Sequence, residues 1–232
     1  MMRTRLVLAS LAVAGLVVPA SRGDEPAHGS KAGQPAPGSK PAPAPRKADS
    51  DAPLPEGWPD ATKPGAIEVK AYPAYRSAVA RAKDASAGAG NTLFWPLFNH
   101  ISRREIAMTA PVVSTYRTPG MAESPGSTGE MTMEFLYRKP TQGEPGAGVG
   151  AVKVEDHPSA TYACLGYQGR SDPERLRDEL ATLRRWLADH KAEWVEAGPP
   201  RQLGYHGPMT PEKERLWEVQ IPVKPATAKP SR

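Results

Sequence analysis

The chain has 232 residues, 30 Lys+Arg against 25 Asp+Glu, 27 Pro and a single Cys. That length holds one domain or two small ones. A net charge of +5 with no clustered basic face argues against a nucleic-acid partner, and one cysteine excludes an intrachain disulfide framework, a Cys-based zinc site and a CxxC redox pair.

Met1–Arg5 carries two arginines, Leu6–Val18 is uncharged, and Val18-Pro19-Ala20 presents short residues. This is the layout of a secretory signal peptide, and the apolar run falls short of the roughly 20 residues a membrane span needs. Residues 1–20 are therefore expected to be removed. The mature protein is expected to begin near Ser21, to be secreted or periplasmic, and to keep no stable membrane insertion. Residues 21–64 hold ten of the 27 prolines, balance six basic against six acidic residues, and have few large apolar residues besides Leu54 and Trp58. They read as a disordered Pro/Ala-rich linker with no core to join. Deleting them is expected to move the thermal midpoint by no more than a few degrees.

From Ala66 the pattern changes. Ile67, Val69 and Ala71 alternate with polar residues, which predicts a half-buried strand with Lys70 on its exposed side, and Ala74–Arg81 can continue extended. Leu93, Phe94, Leu97, Phe98 and Ile101 make a helical stripe, with Pro96 expected in or near the first turn. Ile106, Met108, Ala110 and Val112 predict a second strand, interrupted by Pro111. Met131, Met133, Phe135 and Tyr137 share one face of a third, with Glu134 on the other.

After the glycine-rich break at Pro140–Gly150 the order recurs. Val152–Glu155 and Ala160–Tyr167 are extended, and Ser171-Asp172-Pro173-Glu174 opens a helix with Leu176, Leu180, Leu183 and Leu187 on one side. Leu203–Tyr205 and Trp217–Val223 close the chain as strands. The order strand, helix, strand, strand thus occurs twice. It predicts an α+β domain over residues 65–225, an antiparallel sheet carrying two helices, with residues 226–232 as a disordered tail.

Leu97–Ser114 reads LFNHISRREIAMTAPVVS, which resembles the signature of the SOUL heme-binding family, an aromatic-rich helix followed by I-A-M-T-A-P-V. IEVKAYPAYR at Ile67–Arg76, Tyr162–Gly169 and YHGPMTPEKERLWEVQIPV at Tyr205–Val223 resemble further family segments in the same order, so the resemblance spans residues 66–223. It implies two strand-helix-strand-strand units forming a distorted antiparallel barrel, heme as cofactor, and a small hydrophobic tetrapyrrole as partner. Some family members are said to ligate heme through a histidine late in the first strand. The aligned residue here is Ala71.

A heme site needs an apolar slot, axial ligands and cations near the propionates. Phe94, Leu97, Phe98 and Met108 are the candidates for the slot, Arg103 and Arg104 for the propionates, and His100 and Met108 for the iron. His100 also reads as a surface histidine, the methionines also read as core filler, and the arginines also read as a solvated turn. Cys164 reads as a buried small hydrophobe. No phosphate-binding glycine loop, GxSxG or HExxH is present.

Three functions follow. The first is a secreted, non-enzymatic protein that sequesters or carries heme. The second is a pocket for another amphipathic molecule, since the doubled architecture also resembles effector-binding domains of multidrug regulators; Glu134 would then matter. The third is a small hydrolase using Glu134 or Cys164.

Overall fold

The computed structural model describes residues 50–226; the expected signal peptide, residues 21–49 of the expected linker and residues 227–232 of the tail lie outside them. The described chain forms strands β1 (Ile67–Tyr72), β2 (Tyr75–Ser86), β3 (Val112–Tyr116), β4 (Thr128–Leu136), β5 (Gly146–Ala147), β6 (Lys153–His157), β7 (Ala160–Gln168), β8 (Trp194–Glu196), β9 (Arg201–Gly204) and β10 (Leu216–Pro225). The helices are α1 (Gly90–Arg103) and α2 (Pro173–Asp189). The paired strands run antiparallel in the order β1-β7-β10-β9-β3-β4-β2-β6-β5, with β8 on β10. The domain is α+β with a barrel-like sheet, and the barrel stays open because no pairing joins β1 to β5.

Both helices lie on one face of the sheet. In α2, Asp172 accepts a hydrogen bond from the Arg175 N–H at 2.8 Å, Pro173 fills the first turn, and all four leucines of the stripe are buried. Burying each leucine is worth about 1.5–3 kcal/mol. In α1, Leu93, Leu97 and Ile101 are buried against a core shared with Ala78, Met133 and Phe135. Pro96 lies in the helix interior, past the expected first turn. Both Pro96 and Thr92, four residues before it, are exposed, so the carbonyl that loses its partner faces water. The strand expected over 106–112 begins only at Val112. Pro111 has no N–H to give a ladder, and residues 106–111 run as a connector that Thr109 ties to the Leu136 carbonyl at 2.5 Å.

The opposite face is buried as well. Residues facing one another across the strands form two rows there, Thr132–Thr115–Arg201–Gln220–Cys164 and Glu134–Val113–Leu203–Glu218–Gly166. Residues 53–65 lie over this face as a strap. Trp58 and Thr62 are 6% and 2% exposed, and Leu54 and Ala61 pack beside Tyr72, Val113 and Leu203. Gly166 is needed under the strap, since a Cβ there would come within 2.1 Å of the Thr62 carbonyl oxygen. This corrects the reading of residues 50–64 as linker. The core they join is the polar, aromatic side of the sheet, which alternation alone assigns to solvent. It also reverses the expected effect of deletion. Losing a buried Trp typically costs about 3–5 kcal/mol. Removing residues 50–64 should lower the thermal midpoint by roughly 10 °C or more, measured by circular dichroism.

Candidate functional site

The residues predicted to line an apolar slot separate into two groups. Leu97 is wholly buried in the core and presents nothing to a ligand. Phe94 is half-buried and packs edge-on against Phe135, with ring centroids 5.1 Å apart. Phe98 is 44% exposed and stacks on Phe94 at 6.0 Å, while Trp95 is 65% exposed and meets both rings edge-on. Met108 is half-buried and packs against the same core as Phe94. The helix therefore displays three touching aromatic rings, two of them in water. An exposed aromatic cluster of this kind is a candidate binding surface. Trp95 falls outside the core stripe of α1, and that off-stripe tryptophan is the signal in the sequence that marks it. Arg103 ends the helix and Arg104 follows it; both are exposed, and neither has a carboxylate partner among the described residues.

His100 is neither a surface histidine nor an available ligand. It is 1% exposed, its Nδ1 accepts the Val149 N–H at 3.0 Å, and its Nε2 lies 2.8 Å from the Tyr137 hydroxyl. An Nδ1 that accepts leaves the ring proton on Nε2, so the neutral imidazole occupies both nitrogens structurally. Desolvation, and then the nearby Arg104 charge, hold its pKa below the ordinary value. A depressed histidine pKa contributes stability that is complete above about pH 6.5 and is lost as pH falls toward the lower folded value. Unfolding followed between pH 7 and pH 5 should show wild type losing stability over this window, and His100→Asn should flatten that part of the profile.

The second face holds a buried ionic and aromatic network that sequence reading missed. Glu218 is fully buried and collects five donors. The Thr62 N–H (2.8 Å), Lys70 Nζ (3.1 Å) and the Tyr205 hydroxyl (3.3 Å) donate to Oε2, and the Tyr72 hydroxyl (2.9 Å) and the Gln220 amide to Oε1. Burial pushes its carboxyl up, but Lys70 and the hydrogen bonds outweigh that and leave the pKa below the usual carboxylate value. Lys70, expected exposed, is 12% exposed at its side chain. The tyrosine hydroxyls are pushed up by burial and by Glu218, so Tyr72 and Tyr205 remain donors. Cys164 is buried as expected, and desolvation raises its thiol pKa, which removes thiolate character.

Glu134 is buried and accepts from Tyr75 (3.2 Å) and Ser77 (3.1 Å). Ser77 Oγ also lies 2.8 Å from His157 Nε2, and that same nitrogen is 3.4 Å from Glu134. A Ser-His-acid relay needs the acid on the opposite ring nitrogen from the nucleophile. Here both groups meet Nε2, and Ser77 is fully buried, so this constellation is structural in geometry.

A family model described as SOUL heme-binding protein matches residues 60–222. No curated protein matches the chain. Among solved structures, the C-terminal domain of EcmrR superposes with a TM-score of 0.56 at 17% identity, over 68% of this chain and 97% of that one. An EcmrR–DNA complex gives 0.55 at 17% identity, over 68% of this chain and 57% of that one. An uncharacterized conserved protein from Listeria innocua gives 0.53 at 11% identity, over 69% and 93%. At these identities the structures support the fold alone. The family match covers most of the chain and agrees with the two-helix antiparallel architecture: the chain belongs to the SOUL heme-binding protein family.

Proposed function

We propose that this protein is exported and binds heme without catalysis, and that the exposed aromatic face of α1 is the contact surface. The observation that carries the reading is the exposure of Trp95 and Phe98, 65% and 44%, on a helix whose other large apolar residues are in or against the core. Trp95, Phe98 and the half-buried Phe94 and Met108 fit the flat apolar surface of a tetrapyrrole, and Arg103 and Arg104, without a carboxylate partner among the described residues, fit its carboxylates. The residues do not fit axial histidine ligation, because His100 has both nitrogens engaged and Ala71 stands at the first-strand position. Bound heme would supply an iron and two propionates, and the chain's part is to cover the macrocycle and pair those charges. Export rests on the N-terminal sequence pattern; among the described residues no helix is long and apolar enough to cross a membrane. Titrating hemin into the purified protein while following absorbance tests the reading.

A further inference from the structure

Four buried polar atoms of the strap-covered face have no hydrogen-bond partner among the described residues: the Thr62 and Thr132 hydroxyls, the Trp58 indole N–H and one arm of Arg201. Trp58 sits edge-on to Tyr72 at 4.8 Å and to Tyr75 at 5.2 Å, yet its indole N–H has no acceptor. Arg201 is 3% exposed, and its Nη2 also has none. The rest of the guanidinium is held firmly: Nε donates to Gln220 Oε1 at 2.6 Å, Nη1 reaches the Tyr75 hydroxyl at 3.4 Å, and the group lies 3.6 Å from the centre of the Tyr162 ring. Its central carbon is 5.9 Å from the Trp58 ring, so the free Nη2 belongs to the same compartment as the indole. No carboxylate lies within 4.0 Å of Arg201 among the described residues, whereas Glu218 has Lys70. Glu134 reaches Arg201 only through the shared Tyr75 hydroxyl and leaves Nη2 open, so a buried guanidinium arm beside a ring whose own N–H is unanswered defines a complement that the described residues do not supply.

The attachment of Trp58 suits exchange. The strap is pinned at Glu56, whose N–H donates to the Arg138 carbonyl at 3.0 Å, and at Thr62, whose N–H donates to Glu218. Between these points, among the described residues, the main chain is tied to the sheet at the Asp60 carbonyl, which accepts from Lys70 at 2.9 Å; the Trp58 N–H bonds back to Pro55 within the strap. Gly57, at φ +75°, precedes Trp58 and adopts a left-handed conformation open to glycine at little cost. A cleft of about 400 Å³ borders this loop, lined by Leu54, Asp60, Ala61 and Tyr205 among others.

We propose that this face is a second ligand site, separate from the α1 surface, for a small planar aromatic carboxylate that enters as Trp58 swings out. Its ring takes the place of the indole against Tyr72 and Tyr75, and its carboxylate accepts from Arg201 Nη2. A one- or two-ring acid matches the size of the indole it replaces; heme does not. The reading is independent of the heme proposal.

The test uses the full chain and 2-naphthoate. The Trp58 indole N–H resonance is assigned by its loss in Trp58→Phe. In wild type, millimolar 2-naphthoate should shift that resonance, and the cation 2-naphthylmethylammonium should not. In Trp58→Ala, which removes the internal competitor, calorimetry should show 2-naphthoate binding about tenfold or more tighter than in wild type and about tenfold tighter than neutral 2-naphthamide. Adding Arg201→Gln should erase the preference over the amide. An unmoved resonance in wild type overturns the proposal even if Trp58→Ala fails to fold. So does tighter binding of the ammonium compound, which would mean that Glu134 selects the ligand. Trp95→Ala/Phe98→Ala should leave naphthoate binding unchanged, so failure of either site is read separately.

Discussion

Glu218→Ala should be among the most damaging single substitutions on the sheet, costing about 3–5 kcal/mol, the range for breaking a buried ion pair by removing one partner. The carboxylate is the common acceptor of Lys70, Tyr72, Tyr205, Gln220 and the Thr62 N–H. Its loss leaves an ammonium, two phenols, an amide and a backbone N–H without their acceptor in a place water does not reach. The thermal midpoint should fall by roughly 6–20 °C for a domain of this size. The strap should loosen in the same variant, because the Thr62 N–H is one of its main-chain pins, and faster amide exchange over residues 56–64 would report that. The lowered Glu218 pKa carries a matching pH dependence. Its contribution is fully present above about pH 4.3, the unfolded value, and is lost as pH falls through the lower folded one. Wild type should lose more stability across that acid window than Glu218→Ala, which keeps the lowered carboxylates of Glu155 and Asp156 but not this one. A midpoint within two or three degrees of wild type would show that the network is not holding the strap.

Trp95→Ala/Phe98→Ala should separate binding from stability. Both side chains are mostly or partly in water, so their removal should change stability little, by about 0.5 kcal/mol or less each. Covering an aromatic side chain fully is worth about 1.5–3 kcal/mol, and each ring has part of that area left to bury. Together they should weaken hemin binding by about a hundredfold. Leu97→Ala provides the contrast, since a core cavity should cost about 2–5 kcal/mol of stability. His100→Ala should leave the hemin spectrum unaltered, because neither ring nitrogen is open to iron.

Adjacent residues show how far the sequence could be read. Leu97 and Phe98 share one helical stripe, and by spacing both are candidates for the slot. The helix turns about 100° per residue, enough to send Leu97 into the core and leave Phe98 at its rim. α2 was legible throughout, because cap, proline and leucine spacing are all local. The second face was not. Period-two reading names one core face per strand and gives the other to water, which places Lys70 in solvent. The strap covers that side instead, and its hydrogen bond from Thr62 reaches Glu218, 156 positions away. Trp58 was visible as an apolar residue in a proline-rich stretch, but its partners Tyr72, Tyr75 and Arg201 come from three different strands or their ends. Glu134, the candidate for an effector-type pocket, lies on that face among Tyr75, Ser77 and His157.

The measurement that bears most directly on function is a hemin titration of wild type and Trp95→Ala/Phe98→Ala, followed at the Soret band, with circular dichroism confirming the fold of both. Wild type should give a saturable, red-shifted Soret band without the spectrum of histidine ligation, and the double variant should need about a hundredfold more hemin to reach the same occupancy. Equal binding by the two proteins, or a histidine-ligated spectrum that disappears in His100→Ala, would contradict an apolar heme surface on α1.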